Sequence, residues 1–130
     1  MSAADGILPP FGTDLRQPCI VRDVVDLAGD RWSVLVLAHL ANSPLRFNTL
    51  QRCIGGISKQ VLSRTLKRLE EDGFVSRKIY EVTPPQVEYA LTGLGKSFLE
   101  PMRVLFAWAE SHTDGIASSR QRFAAMRSPR

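Results

Sequence analysis

The chain has 130 residues, of which 44% are hydrophobic, with 17 basic and 13 acidic side chains and a formal net charge of +4. This composition fits one folded domain with a modest core rather than a disordered polymer, and its basic balance suits a polyanionic partner. Two cysteines without paired spacing, two isolated histidines and no apolar run longer than Val104–Ala109 argue against a disulfide scaffold, a metal site and a membrane span; with no signal-peptide pattern, a reducing, cytoplasmic setting is expected.

Residues 1–17 hold two prolines and two glycines without helical period and read as a flexible arm. Pro18 to Leu27 reads as a first helix with Val21, Val24, Val25 and Leu27 apolar. Gly29 ends it and Asp30 caps the next. Arg31 to Ala41 carries Trp32, Val34, Leu35, Val36, Leu37, Ala38 and Leu40. Its apolar residues surround the axis, so this helix is expected at the buried centre, and Asn42-Ser43-Pro44 stops it. A third helix spans Phe47 to Ile54 and a fourth Ser58 to Asp72, with Gly55-Gly56-Ile57 between them and Gly73 as a left-handed C′ residue. That is the plan of a helix-turn-helix.

Period-two patterning follows. Val75, Arg77 and Ile79 share one strand face, and Val87, Tyr89 and Leu91 share another. Glu81 to Gln86 joins the strands, and its Pro84-Pro85 cannot donate ladder hydrogen bonds. A two-stranded hairpin directly after a helix-turn-helix is a winged helix. Thr92 caps a fifth helix expected from Gly93 to about His112, kinked or broken near Pro101. A short sixth helix is expected from Ile116 to Met126. The domain plan is therefore an arm at 1–17, a winged helix-turn-helix with dimerisation helices at 18–113, and a short helix and tail at 114–130. The fold class is mainly α with a small β-hairpin wing.

The fourth helix carries the chemistry. From Ser58 at 0°, at about 100° per residue, Val61, Leu62, Thr65, Leu66 and Leu69 fall on one side. Gln60, Ser63, Arg64 and Lys67 fall on the other. Amide for adenine, hydroxyl for either purine or pyrimidine edges, guanidinium for guanine and ammonium for phosphate are the side chains that read or grip DNA. Ser58, Lys59, Lys67 and Arg68 are assigned to phosphates, and Arg77, Lys78 and Tyr80 to backbone contact from the wing. Glu70, Glu71 and Asp72 close this helix against its dipole and mark the end that points away from DNA. Glu71 can pair with Lys67 at i,i+4.

The fifth helix is apolar over about half its circumference, through Leu94, Phe98, Met102, Leu105, Phe106, Trp108 and Ala109, wider than packing on one domain requires. The surplus points to a second copy of the chain, with the first and fifth helices joining the subunits. Cys19 begins the first helix with Arg16 and Arg22 nearby, a setting that favours thiolate, so it is the candidate sensor. Cys53, just before the turn, is read as an inert, half-buried residue. Trp32 and Trp108 could line a pocket between helices for a small-molecule effector; the plainer reading is core and interface aromatics.

The run Cys19-Ile-Val-Arg-Asp-Val-Val-Asp-Leu-Ala-Gly29-Asp30-Arg31-Trp32 resembles the opening of HxlR-type transcriptional regulators. So do Phe47-Asn-Thr-Leu-Gln, Gly56-Ile57-Ser58-Lys59-Gln60-Val61-Leu62, Leu69-Glu70-Glu71-Asp72-Gly73 and Pro85-Gln-Val-Glu88-Tyr89-Ala-Leu91-Thr92-Gly-Leu94-Gly95. The resemblance implies a homodimeric winged-helix regulator, related to the MarR type, that binds palindromic double-stranded DNA operators. It also implies that some members sense electrophiles or oxidants through a cysteine where Cys19 stands. The family often places Pro directly after this Cys, whereas here Pro18 precedes it. No cofactor, metal or catalytic residue is expected, since no phosphate loop or nucleophile–base motif occurs. The other reading of the same fold is a protein-interaction module without specific DNA binding; the basic face of the fourth helix argues against it.

Overall fold

Side-chain caps set the helix starts. In the computed structural model, which describes residues 19–127, Cys19 Sγ accepts from Arg22 N at the head of α1 (Ile20–Ala28). Asp30 accepts from both Ser33 N and Ser33 Oγ at the head of α2 (Arg31–Leu40). Ser58 accepts from Val61 N at the head of α4 (Lys59–Glu71). Each cap satisfies a backbone N–H that has no partner inside its helix. The expected arm at 1–17 lies outside the described residues.

The chain divides between Lys96 and Ser97 into two compact units. In the first, α2 is the hub: it packs on α1, α3 (Phe47–Ile54), α4 and β3 (Gln86–Leu91). Val36, Leu37 and Leu40 are buried, while Trp32, Val34 and Leu35 are half-buried and Ala38 is exposed. The expectation of a helix covered on every side is thus met on one flank only among the described residues. Leu50 of α3, Ile57 of the turn, and Leu62, Leu66 and Leu69 of α4 close the core, each fully buried leucine contributing about 1.5–3 kcal/mol. Those α4 residues are on the side the wheel assigned to the core, because a 3.6-residue period fixes which side chains share a face.

The sheet has three strands, in the order β1 (Leu45–Arg46), β3, β2 (Val75–Tyr80), all antiparallel. The sequence suggested only the hairpin. β1 is two residues long and has no pattern of its own; it becomes a strand because Leu45 and Arg46 pair with Tyr89 and Glu88. The hairpin register also joins what the sequence separated. Val75 opposes Leu91, Arg77 opposes Tyr89 and Ile79 opposes Val87. Opposed residues point to the same side of a sheet, so the two expected faces are one. That face is buried at Val75 and Leu91 and exposed toward Ile79.

The wing is anchored at its base by Thr92. Its N–H donates to Phe74 O at 3.1 Å, its hydroxyl donates to Gly73 O at 2.6 Å, and the same Thr92 Oγ1 accepts from Gly95 N at 3.0 Å. Gly73, at φ 86°, turns the chain from α4 into β2. A Cβ on Gly95 would stand 2.1 Å from Phe74 O, so only glycine fits there.

The expected single helix from Gly93 to His112 is instead α5 (Gly93–Ser97) and α6 (Leu99–Ser111), broken at Phe98. Pro101 explains the position: it has no N–H to donate to the Ser97 carbonyl and its ring crowds that group. In the second unit, Met102 is the buried residue of α6. α7 runs over Thr113–Arg127, starting three residues before the expected Ile116. The α6–α7 junction is held by Thr113 Oγ1 donating to Ala109 O at 2.9 Å and by Trp108 stacked on His112 at 4.2 Å.

Candidate nucleic-acid interface

The turn before α4 needs its two glycines. Gly55 and Gly56 have φ of 69° and 71°, a region that side-chain-bearing residues avoid. Gln51 Nε2 donates to Ile57 O at 3.1 Å, and Ile57 is buried. The turn is therefore tied to α3 on one side and to the core on the other, which sets the angle at which α4 leaves it.

From that anchored start, Lys59, Gln60, Ser63, Arg64 and Lys67 are all exposed and together line one open depression along α4. This brings together the residues assigned from sequence to base edges and their flanking lysines. Ser58 is engaged as the N-cap, its oxygen accepting from Val61 N at 3.1 Å. Arg68 is set apart. It is half-buried and lines a separate small cavity with Asp30, Trp32, Ser33, Val61, Arg64 and Thr65. By the wheel it stands about 100° from Lys67, at the flank of the exposed face rather than on it.

The three wing residues are divided between the two sides of the sheet. Arg77 shares its side with Tyr89, and its Nε lies 3.6 Å from Glu70 Oε2 on α4. Burial pushes the Tyr89 phenol up, the Arg77 charge works against that shift, and Glu70 adds to it. Lys78 and Tyr80 lie on the opposite side, with Lys78 Nζ 4.8 Å from the centre of the Tyr80 ring, within cation–π range. Tyr80 Oη donates to Glu88 Oε1 at 2.9 Å. The i,i+4 partner expected for Glu71 is absent: among the described residues the α4 carboxylate in an ion pair is Glu70, with Arg77.

Two residues of this surface escaped the sequence reading. Glu88, at the middle of β3, is opposed by Lys78 on one side and Arg46 on the other, and it fixes the Tyr80 hydroxyl. Arg46 is exposed and adds a cation to the Lys78 side of the sheet. Only the pairing of β1 places it there, and no local motif marks it.

Cys19 is half-buried, and Cys53 is exposed rather than half-buried as expected, because it lies in the last turn of α3, round to the outer side from the buried Leu50; both are free thiols. Cys19 Sγ lies 3.3 Å from Arg22 N, so the sulfur caps α1. Of the residues assigned to a subunit interface, Leu94, Leu105, Phe106 and Trp108 are exposed, Phe98 is half-buried, and Met102 is only 4% exposed in the single chain. Val104, Ile116, Phe123 and Met126 are further exposed apolar residues. Among the described residues, no helix is long and apolar enough to cross a membrane and no cluster of His, Cys, Asp or Glu could hold a metal.

A family model described as HxlR-like helix-turn-helix matches residues 27–117. An uncharacterised HTH-type transcriptional regulator, YtfH of Escherichia coli (strain K12), is 39% identical over 114 residues, covering 88% of this chain and 90% of that one. Among solved structures, the putative transcriptional regulator ytfH from Salmonella typhimurium superposes with a TM-score of 0.70 at 38% identity, over 79% of this chain and 92% of that one. The redox regulator HypR in its reduced form does so with a TM-score of 0.70 at 32% identity, over 77% and 99%.

Proposed function

The chain belongs to the HxlR-like helix-turn-helix family, and on that premise we propose that it is a DNA-binding transcriptional regulator acting as a homodimer on a palindromic operator. The observation that carries this is the single open face of α4 formed by Lys59, Gln60, Ser63, Arg64 and Lys67, presented by a turn whose geometry only glycine supplies. The face opposite buries Leu62, Thr65, Leu66 and Leu69 in the core, so α4 can be laid in a major groove without loss of packing.

In this reading Gln60, Ser63 and Arg64 contact base edges. Ser58, Lys59, Lys67 and Arg68 serve phosphates, Arg68 from the flank. Lys78 and Tyr80 meet the backbone or adjacent minor groove from one side of the wing, and Arg77 from the other. Two copies place their α4 helices in successive major grooves, roughly 34–36 Å apart. The exposed Leu94, Leu105, Phe106 and Trp108 supply the apolar surface for pairing, with Phe98 and Met102 beside them in sequence. Cys19 is the sensor: modification of a thiol that caps α1 removes that cap and adds bulk at the helix start. The similarity to a protein described as a redox regulator supports this part.

Selection of bound sequences from a random duplex pool tests the reading. A two-fold symmetric site with half-site centres one helical turn apart is expected, together with sedimentation as a dimer. Binding without sequence preference, or a monomer at micromolar concentration, would reject it in favour of a protein-interaction module.

A further inference from the structure

The small cavity that takes in Arg68 lies between the first turn of α2 and the body of α4, within the first unit, and its chemistry differs from that of the open face next to it. Its volume is about 200 Å³, below the range of drug-sized pockets and suited to a single ring with one substituent. The half-buried Trp32 and Val61 supply its apolar surface. Arg64 and Arg68 supply two guanidinium groups, and among the described residues neither is in an ion pair. The one carboxylate in the lining, that of Asp30, already accepts from Ser33 N at 3.0 Å and from Ser33 Oγ at 2.6 Å. Thr65 is only 8% exposed, and its hydroxyl makes no hydrogen bond among the described residues. No buried side-chain oxygen there is left without a partner, so this hydroxyl opens onto the cavity that Thr65 lines. Arg64 is shared: it lines both this cavity and the depression assigned to base reading.

We propose that this cavity binds a small aromatic carboxylate, and that the bound anion holds Arg64 away from DNA. Trp32 and Val61 gain by covering a ring. The guanidinium groups gain a planar carboxylate, the partner that their fork geometry fits, and the Thr65 hydroxyl is a further donor to it. The first turn of α2 adds the positive end of a helix dipole. Two guanidinium charges against one engaged carboxylate leave the lining net positive, which selects against a cation. Inorganic phosphate would meet the arginines and leave Trp32 and Val61 uncovered. A neutral ring would cover those two and leave the arginines unpaired.

The sharing of Arg64 gives occupancy a consequence. A guanidinium that pairs with a carboxylate in the cavity is not available to a base edge in the groove, so ligand and operator compete for one side chain. This effector role rests on the DNA-binding reading above; the binding site itself does not.

Titration of the full chain with benzoate, followed through the indole N–H resonances of its two tryptophans, tests the site without DNA. Trp32→Phe identifies the Trp32 signal. That signal should shift saturably, and the Trp108 signal should not. Benzamide, the same ring without the charge, should bind at least about tenfold more weakly than benzoate, as should benzoate to Arg68→Gln, by loss of short-range charge attraction. Cyclohexanecarboxylate, which has the charge without the aromatic face, and inorganic phosphate should both bind more weakly than benzoate. An unchanged urea midpoint certifies the fold of Arg68→Gln; Arg64→Gln, at an exposed position, carries the same test should that variant not fold. No saturable shift, equal affinity for any of the three comparison ligands, or indifference to the Gln variants overturns the proposal. DNA affinity is read separately, at saturating benzoate against an equal concentration of chloride. Benzoate should lower it by no more than Arg64→Ala does, and should have no effect on Arg64→Ala itself. If the chain fails to bind DNA under either condition, the regulator reading falls while a positive titration still stands. If it binds DNA identically under both, or if benzoate acts undiminished on Arg64→Ala, the effector role falls.

Discussion

Replacing Glu70 with Gln should tighten DNA binding, and the amount follows from the ion pair it dissolves. Arg77 Nε and Glu70 Oε2 are 3.6 Å apart, with side chains 46% and 39% exposed. At that separation and the dielectric of water the attraction is about 1 kcal/mol, in line with the small net worth of exposed pairs. Arg77 can leave Glu70 for a phosphate at about that cost, so Glu70→Gln should improve DNA affinity by up to about fivefold per wing, without regard to sequence. Glu71→Gln removes the same charge one residue away without releasing an arginine, and serves as the control. Arg77→Ala should shallow the slope of log affinity against log salt by about 0.9 per wing, because one phosphate contact fewer releases counterions. The assay is fluorescence anisotropy of a labelled duplex over a salt series, run on the four combinations of Glu70→Gln and Arg77→Ala. In the Arg77→Ala background the effect of Glu70→Gln should fall to that of Glu71→Gln. If Glu70→Gln weakens binding, or tightens it equally with Arg77 absent, then Arg77 is a strut between wing and α4, and its assignment to phosphate is wrong.

Arg64→Ala should cost about 1–3 kcal/mol of specific binding and relax preference at one base position, read by competition between operator and single-base variants; retention of wild-type selectivity would remove Arg64 from the reading face. Gly95→Ala should destabilise the fold by about 3 kcal/mol or more, at the upper end of overpacking effects, since its Cβ would meet Phe74 O at 2.1 Å; a urea midpoint equal to wild type would contradict that close approach. Mild oxidant or quinone treatment should abolish operator binding by the wild type and not by Cys19→Ser. An equal response from both proteins would make Cys19 structural.

Much of the interface was legible because it is local. A helix start depends on a cap and the next three residues, so Ser58 and Asp30 announced α4 and α2 before any tertiary contact was known. Gly73 was assigned its left-handed conformation from its place just past the α4 pattern, and the 3.6-residue period alone separated Leu62, Leu66 and Leu69 from Gln60, Arg64 and Lys67. The rest depended on pairing across the chain. A two-residue strand such as β1 has no period to detect and exists only through its hydrogen bonds to β3. With it came Arg46, and with the hairpin register came the separation of Arg77 from Lys78 and Tyr80. Alternation along one strand says that neighbours point to opposite sides, yet not which side meets α4. Pro101 foretold a break in the long helix, but its place, at Phe98, is set by the carbonyl four residues back that the ring crowds. The cavity between Asp30 and Arg68 unites residues 38 positions apart, and Met102, indistinguishable by wheel from Leu105, is buried within the chain. Local stereochemistry determined which elements form and which faces they present; only three-dimensional packing decided which of those faces meet, because burial belongs to the surroundings of a side chain and not to the side chain itself.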